Sequence, residues 1–264
     1  MKLKNLAYLL ILLSIFSCED KSLNSISKSE TRNSYDNENF THLIKSHKVI
    51  DLASMPRKKD LQRICKAISV LTAIFEAEYK FTAPYYSYDS KWGANEEFFE
   101  MNDGQGSQIM ILFLKDGCVI NGLVKYYIPN LRKKDITKGI PKIYEEFIFG
   151  KTVSSCGTNF CMWTNPDGSW QAGINGIDDD SIQEYLTIFD GNPRTYRDWA
   201  LEGYLFYYGN EKQYLKGIPL KTVTQIYQGK VLTKKMVLLL DEKFTKWKKL
   251  EEELKTIGYN YDFN

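Results

Sequence analysis

The chain has 264 residues, with 35 Lys and Arg against 33 Asp and Glu, and 14% of its residues are aromatic. So even a charge balance lacks the basic excess that nucleic-acid binders cluster on one face, and nucleic acid is set aside as a partner. Five cysteines are too few to build a disulfide scaffold of this length.

Lys2 and Lys4 precede an almost unbroken apolar run from Leu6 to Phe16, a signal-peptide pattern over residues 1–17. Glu19, Asp20 and Lys21 end the run well short of the roughly 20 apolar residues a membrane-spanning helix needs. The stretch Ile15-Phe16-Ser17-Cys18 resembles the lipobox of bacterial lipoproteins, although Phe16 is bulkier than usual there. That resemblance implies cleavage before Cys18, acylation of its thiol and often of the new amine, and a lipid-anchored protein of the cell envelope whose partner is the bilayer. The bland alternative is an incidental thiol at the end of an ordinary signal peptide. Removing residues 1–17 deletes two lysines and no acid, which leaves 33 basic and 33 acidic residues.

From Glu19 to about Asn39 there is too little apolar surface to order the chain, so residues 18–39 are expected to form a flexible tether with an r.m.s. reach of about 25 Å. Residues 40–264 are expected to form a single α+β globular domain.

The first helix is expected after Ser54, with Pro56 in its first turn and Leu61, Ile64, Cys65, Ile68, Leu71 and Phe75 on one face. An antiparallel meander follows: Glu97 to Met101, Gln108 to Leu114, a turn at Lys115-Asp116-Gly117, then Cys118 to Lys125. A short helix near Pro141 should carry Ile143, Tyr144, Phe147 and Ile148 to a stop at Gly150. Phe160 to Thr164 and Ser169 to Ile174 form a second hairpin about Asn165-Pro166-Asp167-Gly168, with Trp163 and Trp170 on its strands. Helices are then expected over Ile182 to Phe189, Pro193 to about Leu205, Leu220 to Tyr227, Thr233 to Leu240 and Phe244 to Ile257. The expected whole is a meander sheet packed by an N-terminal helix and several C-terminal helices.

Few residues point to chemistry. His42 and His47 lie beside the tether, outside any ligand spacing, and there is no GxSxG elbow, P-loop, Rossmann glycine pattern or HExxH. No metal or cofactor is expected, and no catalytic residue is assigned. Cys156 and Cys161 bracket a four-residue loop and either pair as a disulfide or stay as buried apolar thiols. Asp178-Asp179-Asp180 stands ahead of a helix, where capping explains carboxylates, with a calcium-type site as the alternative. Trp163, Trp170, Tyr126 and Tyr127 are candidates for partner binding, against the alternative that they are core filler. A carboxylate-dependent hydrolase would draw on Glu100, Asp103 and Asp178.

Several groups of residues carry a further resemblance. They are Asp103-Gly104-Gln105-Gly106 ahead of Leu112 to Gly122, Asn159 to Trp163 with Trp170 and Gly173, and Gly191-Asn192-Pro193 with Tyr196, Trp199 and Ala200. Ile218-Pro219-Leu220 with Val223, Ile226 and Tyr227 continues the match. In order and spacing these resemble a bacterial family of unassigned function, over somewhat more than half the chain from about residue 101 to the C-terminus. Where that family's pattern has an Asp-His-Glu run, this chain has Val124-Lys125-Tyr126, so any activity of that run is lost here. The resemblance implies a small α+β domain like those of toxin-immunity proteins. The expected function is therefore a tethered binding protein, an immunity protein against a periplasmic toxin, with an envelope glycan- or ligand-binding module as the alternative and a hydrolase after that.

Overall fold

The computed structural model describes residues 51–75, 85–125, 127, 131–174, 176–208 and 218–264, with the backbone alone for 201–208. Its centre is a six-stranded antiparallel sheet in simple sequence order. The strands are β1 (Tyr85–Gly93), β2 (Glu96–Asn102), β3 (Gln108–Leu114), β4 (Gly117–Leu123), β5 (Phe160–Thr164) and β6 (Trp170–Ala172). The α+β class, the meander and the N- and C-terminal helices all stand as the sequence leads one to expect.

Both faces of this sheet are covered, and side-chain alternation decides which residue serves which face. Phe99, Met101, Ile109, Ile111, Phe113, Ile120 and Met162 point into one core. Their neighbours Phe98, Met110, Leu112, Val119, Cys161 and Trp163 point into the other. In β3 the residues from Ile109 to Phe113 are therefore all buried, which is why this strand reads as a continuous apolar run.

The first core is closed by α1 (Lys58–Phe75), whose buried face carries the expected helical spacing. It is joined by α5 (Asp180–Leu186, extended by a 3-10 turn Thr187–Phe189), α6 (Pro193–Tyr208), α7 (Leu220–Tyr227), α8 (Lys234–Leu240) and α9 (Trp247–Ile257). Helix α1 packs on β1, α7, α8 and α9. The second core lies under the β4–β5 connection, which folds as α2 (Lys133–Ile136), a 3-10 turn Lys142–Tyr144, α3 (Glu145–Phe149) and α4 (Lys151–Ser154).

Besides the short helices α2 and α4, two further elements were not expected from the sequence. One is β1, the edge strand, which pairs with β2 through a tight turn with Asn95 at φ 65°. The other is a two-residue parallel pair, β7 (Leu232–Thr233) with β8 (Tyr261–Asp262), which ties the C-terminus to the start of α8.

The motif residues of the resemblance turn out to hold this fold together. Asn159 is buried; its side-chain oxygen accepts from Val124 N at 2.9 Å, while its amide donates to Val124 O and Tyr127 O, each at 2.7 Å. Asn121 donates to Gly157 O at 2.9 Å and accepts from the Thr158 hydroxyl at 2.6 Å, which pins the loop between Cys156 and Cys161 onto β4. A Cβ on Gly122 would fall 1.8 Å from the Phe160 ring, so only glycine lets that ring cross the strand.

Candidate functional site

A shallow groove of about 40 Å³ lies between α1, edge strand β1 and α9. Its walls follow from the periodicity of the helices. In α1 the apolar positions face the sheet, which leaves Ser69 and Thr72 on the flank toward α9. In α9 the buried positions are Leu250, Leu254 and Ile257, so Lys249 and Glu253, one turn apart, stand on the groove wall. Tyr85 and Ser87 line the β1 side, and Tyr85 is 44% exposed.

The polar groups of this groove differ in how they are satisfied. The Ser69 hydroxyl is fully enclosed and has no hydrogen-bond partner among the described residues. Burial pushes the Glu253 carboxyl above its usual range, with the Lys249 ammonium opposing. Tyr86 and Tyr88 turn inward instead. Tyr86 stacks on Phe99 at 6.1 Å and meets Trp199 edge-on at 5.4 Å. The Tyr88 hydroxyl donates to Glu97 at 2.8 Å, and the same carboxylate receives Lys66 at 2.8 Å and Gln62 at 2.7 Å. Burial raises the Tyr88 phenol far above its ordinary value, Glu97 adding to the effect, so it stays a donor. The arrangement offers hydrogen-bond donors and acceptors, one desolvated carboxyl and one aromatic edge, which is the chemistry of recognition.

The residues singled out from the sequence are placed elsewhere. Trp163 is 0% exposed in the second core, so it presents nothing to a partner, and this corrects the expectation for it. Trp170 is half-buried and its indole donates to Pro56 O at 2.9 Å, latching β6 to the start of α1. Tyr127 packs against the first core. Tyr126, Cys18, His42 and His47 lie outside the described residues.

Cys156 and Cys161 are both free thiols. Cys161 is buried in β5 and burial raises it to about 12; Cys156 is half-buried and its thiol reaches Thr152 O at 3.7 Å.

The three carboxylates considered for hydrolysis also have separate structural settings. Asp103 accepts from Tyr185 at 2.7 Å and from Gln105 N and Ser107 N at 2.8 Å each. Partial burial works against its charge, yet these hydrogen bonds hold it below the usual carboxylate range. It therefore closes the β2–β3 turn, where Gly104 and Gly106 take positive φ. Glu100 accepts from Gln108, and burial nonetheless pushes its carboxyl up. Asp178 is exposed, and its neighbour Asp179 caps α5 by accepting from Ser181 N at 2.9 Å. Among the described residues no group of three or more His, Cys, Asp or Glu is placed to hold a metal ion.

The groove was missed in the sequence because its members come from three distant segments and none is an unusual residue type. The one local signal is the alternation Tyr86-x-Tyr88 with Tyr85 and Ser87 between, which marks a strand with one face inward. No protein-family model, no curated protein and no solved structure matches this chain.

Proposed function

We propose that this chain is a membrane-tethered envelope binding protein, anchored through lipid on Cys18, that neutralises a protein toxin by engaging it at the groove between α1, β1 and α9. The observation that carries the reading is the composition of that groove. The Lys249 and Glu253 side chains on one wall and the Tyr85 ring on the rim suit the side chains of a polypeptide laid across the groove better than a reacting bond. The lipobox and the resemblance to immunity-type α+β domains supply the setting.

The test is affinity capture with the chain from residue 19 onward, against lysate and culture supernatant of the native organism. Recovery of one stoichiometric protein whose capture is lost in Y85S/E253A supports the reading. A blank, or capture indifferent to that double substitution, refutes it.

An aromatic ring beside a carboxylate also favours a second reading, an envelope glycan-binding module in which a sugar ring stacks on Tyr85 and hydrogen-bonds to Glu253. A glycan array read with the same variant separates the two, since a glycan ligand is retained without any protein partner.

A further inference from the structure

The first core buries Met236, Val237 and Leu240 of α8, which forces the rest of this short helix outward. Lys234, Lys235, Leu238 and Leu239 share the outward face, the spacing of one helical stripe. Leu238 and Leu239 are 41% and 52% exposed, and Val231, just ahead of β7, is 48% exposed. This display is held in place. The Thr233 side chain caps Met236 N at 3.3 Å, Lys230 O accepts from the Tyr259 hydroxyl at 2.8 Å, and β7 is paired to β8.

Charge separates this segment from the rest of the protein. Between Lys230 and Lys243 there are four lysines, all exposed, against Asp241, which is buried, and Glu242. Asp262, opposite Thr233 in the β7–β8 pair, is a further acid at the rim. A chain with almost equal numbers of acids and bases therefore concentrates positive charge around its exposed aliphatic side chains.

We propose that the α8 face, Val231, Leu238 and Leu239 ringed by Lys230, Lys234, Lys235 and Lys243, rests on an anionic lipid surface. Protein hot spots are built on Trp, Tyr and Arg, and Arg is the residue that grips a carboxylate in two places at once. This face has exposed aliphatics and more lysines than acids, with Glu242 and Asp262 at its edge, which is the make-up of an interfacial segment: short apolar side chains enter the head-group boundary while flexible ammonium groups meet diffuse negative charge. The inference rests on the face itself and holds whether or not Cys18 carries lipid.

The test uses the chain from residue 19 onward, without acyl groups, and sedimentation with vesicles of phosphatidylcholine and phosphatidylglycerol at 7:3 in about 50 mM salt. Each lysine near a charged surface is worth roughly fivefold in partitioning, so K234E/K235E is expected to lower binding at least tenfold. L238S/L239S should also lower binding about tenfold while leaving its salt dependence. The charge-matched K142E/K151E, on exposed lysines of the other helical layer, should bind as the parent does. Pure phosphatidylcholine vesicles and about 500 mM salt should both weaken binding tenfold or more. Unchanged melting curves confirm that the variants fold.

Equal partitioning onto both vesicle types overturns the proposal, as does an equal loss in K142E/K151E, which would reduce the effect to net charge. Absence of vesicle binding also overturns it. If K234E/K235E then abolishes capture of an acidic protein, the face is a protein interface.

Discussion

Replacing Gly173 with alanine is expected to be among the most damaging small changes in the protein. The residue follows β6, and its N–H donates to Cys161 O at 3.2 Å, so its backbone is fixed to the sheet. A Cβ there would fall 1.4 Å from the carbonyl oxygen of Ile136 and 2.4 Å from its carbon. The obstacle is backbone at the end of α2, not the tip of a pliable side chain. To reach an ordinary contact near 3.4 Å, α2 and the sheet must part by roughly 2 Å. Ile136, only 2% exposed, is the residue that seats α2 on the second core beside Trp163. Overpacking of this kind costs about 1–3 kcal/mol. Partial unseating of a buried isoleucine adds about 1–2 kcal/mol. The expected loss of ~2–5 kcal/mol is a large part of a typical domain's stability. The assay is urea unfolding followed by tryptophan fluorescence, which also reports on Trp163. The matched control is G168A, where nothing lies within 4 Å and only the positive φ of 81° is penalised, by about 1–2 kcal/mol. If G173A loses under 1 kcal/mol with unchanged native fluorescence, the close approach of α2 to the sheet is wrong.

Three other outcomes follow from particular contacts. Asn159→Ala removes three hydrogen bonds and strands the buried Val124 N–H, so urea unfolding should show a loss of about 2–4 kcal/mol; a loss below 1 kcal/mol would mean water replaces the side chain. Glu100 has a raised native pKa, so its native state holds the proton more tightly than the unfolded chain. Stability should therefore fall as pH rises from the unfolded value near 4.5 through the native one, and Glu100→Gln should flatten that fall in pH-dependent urea midpoints, whereas an unchanged profile assigns the slope to other groups. With the chain from residue 19 onward at pH 8, a maleimide should label Cys156 in the native state and Cys65, Cys118 and Cys161 only after unfolding. Resistance of Cys156 and Cys161 to labelling even in denaturant, relieved by reductant, would show that they pair as a disulfide.

Elements with strong local periodicity were legible in the sequence, and those made by distant contacts were not. Helix α1 repeats its apolar residues over five turns, and the β3–β4 hairpin has a turn sequence at Lys115-Asp116-Gly117 between two apolar runs. The four-residue helix α2 has no room for a period, and it exists because Ile136 finds the second core and Gly173 leaves space for its carbonyl. The β7–β8 pair joins two dipeptides 29 residues apart, so no window of sequence contains it. Strand β1 is the case where a signal was present, since Tyr86 and Tyr88 alternate with exposed or half-exposed neighbours up to the turn at Asn95.

The same physics explains why prominent residues misled and modest ones line the groove. Tryptophan carries the largest apolar surface in the chain, so a sheet covered on both faces draws Trp163 inward, and the half-buried Trp170 spends its one donor on Pro56 O. Conspicuous carboxylates are likewise claimed by turns and caps, because Asp103 and Asp179 sit where backbone N–H groups lack partners of their own. The groove lining comes instead from helix positions whose residue types are ordinary. Ser69, Thr72, Lys249 and Glu253 occupy such positions, and they acquire meaning only when α1 and α9 are brought against β1. In a two-sided sheet of this kind the groove lining is therefore set by how the helices pack on the edge strand, which no single window of sequence contains.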